Sequence, residues 1–127
     1  DPTAHRLPTF ALYNVAADRD QARAAAKPVL AFYMGAVGPT AMTDVYGINE
    51  QLADMVERGG PDVVEAEMPD EWLDTFAIAG EPDECAEKIS ALYSAGASSV
   101  VLAPVPAEGG RDREMIEMTA SSVLPLL

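Results

Sequence analysis

The stretch from Phe76 to Val105 constrains the fold more than any other part of the sequence. It contains a short apolar run, Phe76–Ala79, an amphipathic segment that begins at Pro82, a glycine at Gly96, and a second apolar run. Pro82 suits the first position of a helix, since its missing N–H would have no partner there, and Gly96 suits the residue after a helix. An apolar strand on each side of one helix predicts a βαβ unit with two parallel, buried strands.

The remainder of the chain predicts one further strand and several helices. Residues Thr9–Val15 are mostly apolar and rich in strand-forming types. A helix is expected to run from Arg19 toward Ala36, with Pro28 kinking or splitting it. Residues 39–75 predict short helical pieces without a strand, and a last helix is expected from about Asp112 to Leu124.

The predicted order of elements is strand, helix, helical insertion, strand, helix, strand, helix, which is an α/β fold. Three parallel strands form only a small sheet, and a parallel sheet needs both faces and both edges covered. A complete eight-stranded TIM (β/α)8 barrel takes about 250 residues. This chain of 127 residues supplies about three of the eight strand–helix units.

The chain is unusually acidic, with 21 acidic and eight basic residues and a formal net charge of −13. Nucleic acid is therefore not expected as a partner, because phosphate contacts require a basic face. The acids are either an ordinary solvated surface or an adaptation to high salt, which screens self-repulsion. We expect the second, a halophilic protein. No apolar run approaches the roughly 20 residues that span a membrane, so no membrane association is expected.

Neither a metal site nor a nucleophilic triad is predicted. The single histidine, His5, lies in the N-terminal loop, and the single cysteine, Cys85, lies on the apolar face of a predicted helix. One cysteine forms no internal disulfide, and no signal peptide is seen, so a reducing cytoplasm is expected. The position of Cys85 favours a small buried side chain over a reactive thiol.

Four segments resemble, in chain order, parts of one known family. The segment ALYNVAADRDQARAAAKPVLAFYMG is similar to its sixth strand and the helix that follows, and YGINEQLADMVERGG to its insertion. FAIAGEPDECAEKISALYSAGASSVVL resembles its last βαβ turn, and PVPAEGGRDREMIEMTASSVLPLL the end of the chain after the eighth strand. The family is the bacterial-luciferase-like, F420-dependent barrel superfamily, in its 5,10-methylenetetrahydromethanopterin reductase branch. The resemblance implies that residues 1–127 are the C-terminal portion of one TIM-barrel domain, with the helical insertion at about residues 39–75.

This resemblance implies a chemistry that the residues alone do not. It implies hydride transfer between reduced coenzyme F420 and a one-carbon group carried by a pterin, such as a methylene-tetrahydropterin. An FMN-dependent monooxygenase of the luciferase type is the alternative within the superfamily. A non-catalytic α/β module that self-associates is the alternative from another class, and open strand edges also predict a homo-oligomer. As part of a reductase, the chain alone is expected to be inactive.

Barrel enzymes place their active sites at the carboxyl ends of the strands, and this rule selects five candidate binding residues. Asn14, after the first strand, either binds coenzyme or substrate or caps the next turn. Gly80, after the second strand, either permits close approach of a ligand or satisfies a tight turn. Gly109, Gly110 and Arg111, after the third strand, form either an anion site or a plain loop. No catalytic residue and no metal ligand is assigned.

Overall fold

The computed structural model describes residues 4–106 and 110–127, and these contain three strands and seven α-helices. In chain order the elements are β1 (Pro8–Val15), α1 (Arg19–Val37), α2 (Ala41–Asp44), α3 (Asn49–Gly59), α4 (Pro61–Glu67), α5 (Asp70–Phe76), β2 (Ala77–Gly80), α6 (Pro82–Ser94), β3 (Ser99–Pro104) and α7 (Asp112–Met118). After α7 the chain continues as a π-helical turn, Thr119–Val123, and a 3-10 turn, Leu124–Leu126.

The three strands form one parallel sheet with β1 at its centre. β2 pairs with β1 along residues Leu12 to Val15 of β1. β3 pairs with the opposite edge of β1 along residues Pro8 to Tyr13 of β1. The prediction of an α/β fold with three parallel strands is therefore confirmed, and the carboxyl ends of the strands lie at one edge of the sheet.

Helices cover both faces of β2 and of the carboxyl half of β1. Successive side chains of a strand point to opposite faces. Leu12 and Ala77 lie in the cluster built with α1, α3, α4 and α5. Tyr13, Val15 and Ile78 lie in the cluster built with α6, α7 and the π-helical turn. The prediction that both strands of the βαβ unit are buried is wrong for β3, which has no buried residue and in which Val101 is 40% exposed, because the helices leave this part of the sheet partly uncovered.

The strand order β2-β1-β3 differs from the order of consecutive strands in a barrel. In a barrel, each strand lies beside the next one in the chain, and the helices form one outer ring. Here the connection from β2 to β3 passes β1, and the helices lie on both faces. The order therefore reverses between β1 and β3, and open α/β sheets bind ligands outside the carboxyl ends of the strands at such a point.

Three local details differ from the predicted elements. Pro28 does not split α1, which is continuous to Val37. The buried face of this helix, which includes Leu30, outweighs a proline penalty of about 3 kcal/mol. Phe76 closes α5 instead of opening β2, and its ring contacts that of Tyr46 edge-on, with 5.3 Å between the centroids. The last α-helix was predicted to reach about Leu124, but it ends at Met118, where the chain continues as the π-helical turn.

Candidate functional site

Asn14 and Arg111 meet at the carboxyl edge of the sheet. Asn14 is the penultimate residue of β1, and Arg111 lies directly before α7, beyond the segment that leaves β3. Arg111 Nη2 donates to Asn14 Oδ1 at 3.4 Å, and Arg111 Nη1 lies 3.9 Å from a carboxylate oxygen of Glu114. Two of the five candidate residues, 97 positions apart in the sequence, are thus in contact.

The side-chain amide of Asn14 is only half satisfied. Asn14 is fully buried, and its Nδ2 has no hydrogen-bond partner within residues 4–106 and 110–127. An unpartnered buried donor costs about 1–3 kcal/mol. α1 is capped by Asp18, which accepts from the N–H groups of Asp20 and Gln21. Asn14 therefore presents a free donor beside a guanidinium group.

Gly80, the last residue of β2, is approached closely by a side chain of the same chain. A Cβ atom at Gly80 would overlap Glu84 Oε2. This oxygen accepts from the Glu81 N–H at 3.1 Å, and Oε1 accepts from Arg19 Nε at 2.7 Å. Burial alone would raise the pKa of Glu84, but these hydrogen bonds hold it below its ordinary value. The absent side chain of Gly80 makes room for this carboxylate, while its predicted role toward a ligand stays a prediction.

The glycine pair after β3 is only partly within the described residues. Gly110 has a φ of +69°, a conformation that suits glycine and leads into α7. Gly109 lies outside the described residues. α7 has only seven residues and no side-chain cap at its start. The anion-site prediction for this segment therefore depends on Arg111.

Sequence analysis missed Arg19 and Glu84 as groups at this edge. A signal for Glu84 was available, since a glutamate at the third position of a helix commonly bonds back to the N–H before the helix. No comparable signal exists for Arg19, because its partner lies 65 residues away.

A cavity of about 500 Å³ opens at the opposite, amino end of the sheet. The first residues of β1 and β2, the end of α1, α2 and the last turns of α6 line it. Its lining is mostly apolar, and its charged groups are Asp74 and Lys88, which lie 3.6 Å apart. Lys88 Nζ also donates to the Ala77 carbonyl at 3.3 Å. Since α/β enzymes bind ligands at the carboxyl ends, we place the candidate site at Asn14 and Arg111 and not in this larger cavity.

Cys85 has the character that was predicted for it. Its side chain is fully buried, with Sγ 3.7 Å from the Gly80 carbonyl oxygen. Burial raises the pKa of the Cys85 thiol to about 11, so it stays protonated near neutral pH.

Within the described residues, no group of three or more His, Cys, Asp and Glu side chains is placed to hold a metal ion. Among the helices that the structure describes, none has the length and apolar character to cross a membrane.

Two curated proteins match most of the chain. It is 31% identical over 126 residues to the 5,10-methylenetetrahydromethanopterin reductase of Archaeoglobus fulgidus, and 31% identical over 123 residues to that of Methanopyrus kandleri. The chain is similar to these reductases along most of its own length. The resemblance seen in the sequence is thereby confirmed, although no family model matches the chain. The alignments cover 93% and 91% of this chain.

A solved structure has the same fold. The coenzyme F420 dependent tetrahydromethanopterin reductase from Methanopyrus kandleri superimposes with a TM-score of 0.71 and 24% sequence identity over 94% of this chain. That superposition covers 35% of the reductase chain, and the two sequence alignments cover 37% and 34% of the relatives. The chain thus spans about a third of the length of the reductases that it matches.

Proposed function

We propose that this chain is part of an oxidoreductase that transfers hydride from reduced coenzyme F420 to a methylene group carried by a tetrahydropterin. The observation that carries the proposal is 31% identity, over 93% of the chain, to a protein named 5,10-methylenetetrahydromethanopterin reductase. The solved relative is itself named as F420-dependent. Because the chain spans about a third of these relatives, we assign residues 1–127 to the C-terminal portion of one barrel domain. The residues that perform the hydride transfer are expected elsewhere in the complete enzyme.

In this proposal the chain binds and positions, while the bound coenzyme supplies the hydride. Asn14 Nδ2 and the Arg111 guanidinium are donors at the edge where barrel enzymes bind their ligands. They suit a coenzyme or pterin group that carries acceptor oxygens. Gly80, Gly109 and Gly110 are proposed to let the ligand approach the backbone.

The described sheet differs from a barrel in the neighbours of β3. Consecutive barrel strands would place β2 between β1 and β3. In the described sheet, β3 pairs with β1, and the outer edge of β2 has no strand partner within residues 4–106 and 110–127. We therefore propose that further strands of the complete enzyme pair with the outer edge of β2.

A self-associating α/β module is the second candidate function, and exposed apolar side chains favour it. Phe10 is 73% exposed and Val45 81% exposed, and Tyr46 and Met42 are also exposed beside the amino-end cavity. Apolar groups gathered in one patch are typical of surfaces that meet another polypeptide. The same patch supports the prediction of a homo-oligomer.

The chain is also proposed to work at high salt and in the cytoplasm. The net charge of −13 supports the first proposal, because a high ionic strength screens the repulsion among so many carboxylates. The single cysteine, which is free and buried, fits a reducing compartment and supports the second.

The test is an absorbance titration of the complete protein that contains these residues, at high salt. Reduced and oxidised coenzyme F420 and, separately, FMN are the ligands. Saturable binding of F420 alone supports the reductase, and a search over methylene-tetrahydropterins would follow. Binding of FMN alone would move the protein to the luciferase-type monooxygenases. Binding of neither, with an open reading frame no longer than this chain, would favour the self-associating module.

A further inference from the structure

We propose that Asn14 and Arg111 together form a binding site for an oxyanion, the phosphate or carboxylate group of a larger ligand. The inference rests on the proposed function in one respect, which is that the carboxyl edge of the sheet is the ligand-binding edge. Asn14 Oδ1 accepts from Arg111 Nη2 at 3.4 Å. Asn14 Nδ2 is bonded to the same carbon as Oδ1, so it lies within about 6 Å of that guanidinium nitrogen. Two kinds of donor, an amide N–H and a guanidinium N–H, therefore lie close together at this end of the sheet.

Most N–H donors of the Arg111 guanidinium have no hydrogen-bond partner among the described residues. Arginine carries five N–H donors. Within the described residues, the contacts of this guanidinium are the 3.4 Å bond to Asn14 and the 3.9 Å approach to Glu114. The second distance is beyond a hydrogen bond. Since the Arg111 side chain is only 13% exposed, water reaches few of its N–H groups.

The chemistry of the two groups selects an oxyanion. A cation is excluded, because both groups donate and one of them is positively charged. A neutral carbonyl would satisfy Nδ2 but would bring no negative charge to the guanidinium, whose contact with the Glu114 carboxylate is 3.9 Å long. A phosphate or carboxylate offers several acceptor positions and a negative charge, and arginine binds both in a bidentate geometry. The low polarity around a fully buried Asn14 strengthens each such hydrogen bond.

The topology places this pair where a ligand is expected. The strand order reverses between β1 and β3. Asn14 lies at the carboxyl end of β1, and Arg111 follows the segment that leaves the carboxyl end of β3. Open α/β sheets and barrels both bind ligands at the carboxyl ends of their strands. The unpartnered amide and the topology are independent observations, and both point to the same edge.

The test follows side-chain amide resonances of the 15N-labelled chain by NMR during titration with inorganic phosphate and, separately, formate at constant ionic strength. The sequence contains two asparagines, Asn14 and Asn49. Asn49 Nδ2 already donates to the Thr40 carbonyl and to Asp44 Oδ1, both at 3.3 Å, so Asn49 serves as an internal control. We expect saturable movement of the Asn14 resonances and none for Asn49.

Two arginine variants provide the matched comparison. Arg111→Gln should weaken the response of Asn14 at least tenfold. Arg113→Gln, two residues later, should change it less than twofold, because that side chain is 91% exposed and pairs with Glu117. Asn14→Leu should abolish anion binding, followed on the Arg111 Nε resonance, without lowering the midpoint of thermal unfolding. If Asn14→Leu does not fold, the two arginine variants decide the matter.

Each outcome has a defined meaning. A response to phosphate alone or to formate alone supports the site and identifies the group that it binds. No response to either anion, equal movement of both asparagines, or an unchanged response in Arg111→Gln would overturn the inference. A failed F420 titration beside an intact Asn14 response overturns the coenzyme assignment alone. Successful F420 binding without an anion response from Asn14 overturns this site alone.

Discussion

Replacing Gly80 by alanine separates two explanations for the glycine at the end of β2. Its φ is not in the left-handed region, so alanine can adopt the backbone conformation. The new Cβ would overlap Glu84 Oε2 and lie 3.1 Å from Glu84 Cδ. A carboxylate at the end of a flexible side chain moves aside in response. Glu84 then loses its hydrogen bonds to the Glu81 N–H and to Arg19.

The size of the effect follows from these contacts. A side-chain bond to an N–H before a helix contributes about 0.5–2 kcal/mol. The ion pair with Arg19 adds little, because it is exposed to solvent. Alanine also gains about 0.4–1 kcal/mol by restricting the unfolded chain. Gly80→Ala should therefore destabilise the chain by up to about 1.5 kcal/mol.

The decisive comparison repeats the substitution in the Glu84→Ala background. There the carboxylate is gone, and the closest remaining atom is Glu84 Cβ, 3.3 Å from the new methyl group. Gly80→Ala should then be neutral or stabilising by up to about 1 kcal/mol. Urea unfolding of the four proteins at pH 7 measures the coupling between the two positions. The same loss in both backgrounds would refute the steric explanation.

The pH dependence provides a check on the same contacts. The hydrogen bonds hold the pKa of Glu84 below its ordinary value of 4.5. A depressed pKa means that the stabilisation by Glu84 is present above that ordinary value and is lost as the pH falls through the folded-state value. The coupling between Gly80 and Glu84 should therefore shrink in acid.

Three further measurements test other parts of the structure. Gly35→Ala should lower the free energy of unfolding by about 1–3 kcal/mol, because the new Cβ would lie 2.6 Å from the Cα and N of Pro61. Helix propensity alone predicts a gain in stability, and such a gain would contradict the close approach of α1 to α4. Burial raises the pKa of Tyr13 from 10.0 to about 12, so the free energy of unfolding should fall as the pH rises through this range. The measurement is made in a Cys85→Ala background, because the raised pKa of the Cys85 thiol adds to the fall in stability. In that background, Tyr13→Phe should remove the loss of stability at high pH. If the loss persists in Tyr13→Phe, it has another cause. Finally, raising NaCl from about 0.1 M to about 1 M should increase the melting temperature of a chain with net charge −13, and a flat response would count against adaptation to high salt.

Local sequence patterns predicted most of the elements, because each pattern acts within a few residues. The residues of the first helical turn were enough to predict that a helix begins at Pro82, and α6 begins there. Placing Asn14 and Arg111 at one edge required only the rule that parallel strands end together. Their contact, and the free Nδ2, depend on side-chain positions across 97 residues, and no local pattern encodes those.

The amino-end cavity and the Gly80–Glu84 contact escaped prediction for different reasons. The cavity is bounded by parts of α1, α2, α6 and two strands, so it exists only after these elements have packed. The contact is local, but a glycine before a helix has a common explanation in turn geometry. The position of the Glu84 carboxylate shows that Gly80 is needed because a Cβ atom would not fit there. The backbone φ of Gly80 does not require glycine.

The order of the strands in the sheet could not be predicted from the pattern of apolar residues, and the reason bears on the proposed barrel. Tyr13, Val15 and Ile78 are buried here by α6 and α7. In a closed barrel, the side chains that point inward are buried by the other strands. Both arrangements therefore require apolar residues at these three positions, so strands that are apolar on both faces are compatible with an open sheet and with a barrel. What distinguishes the arrangements is whether another strand pairs with the outer edge of β2. We therefore expect further polypeptide of the complete enzyme to meet this edge of β2.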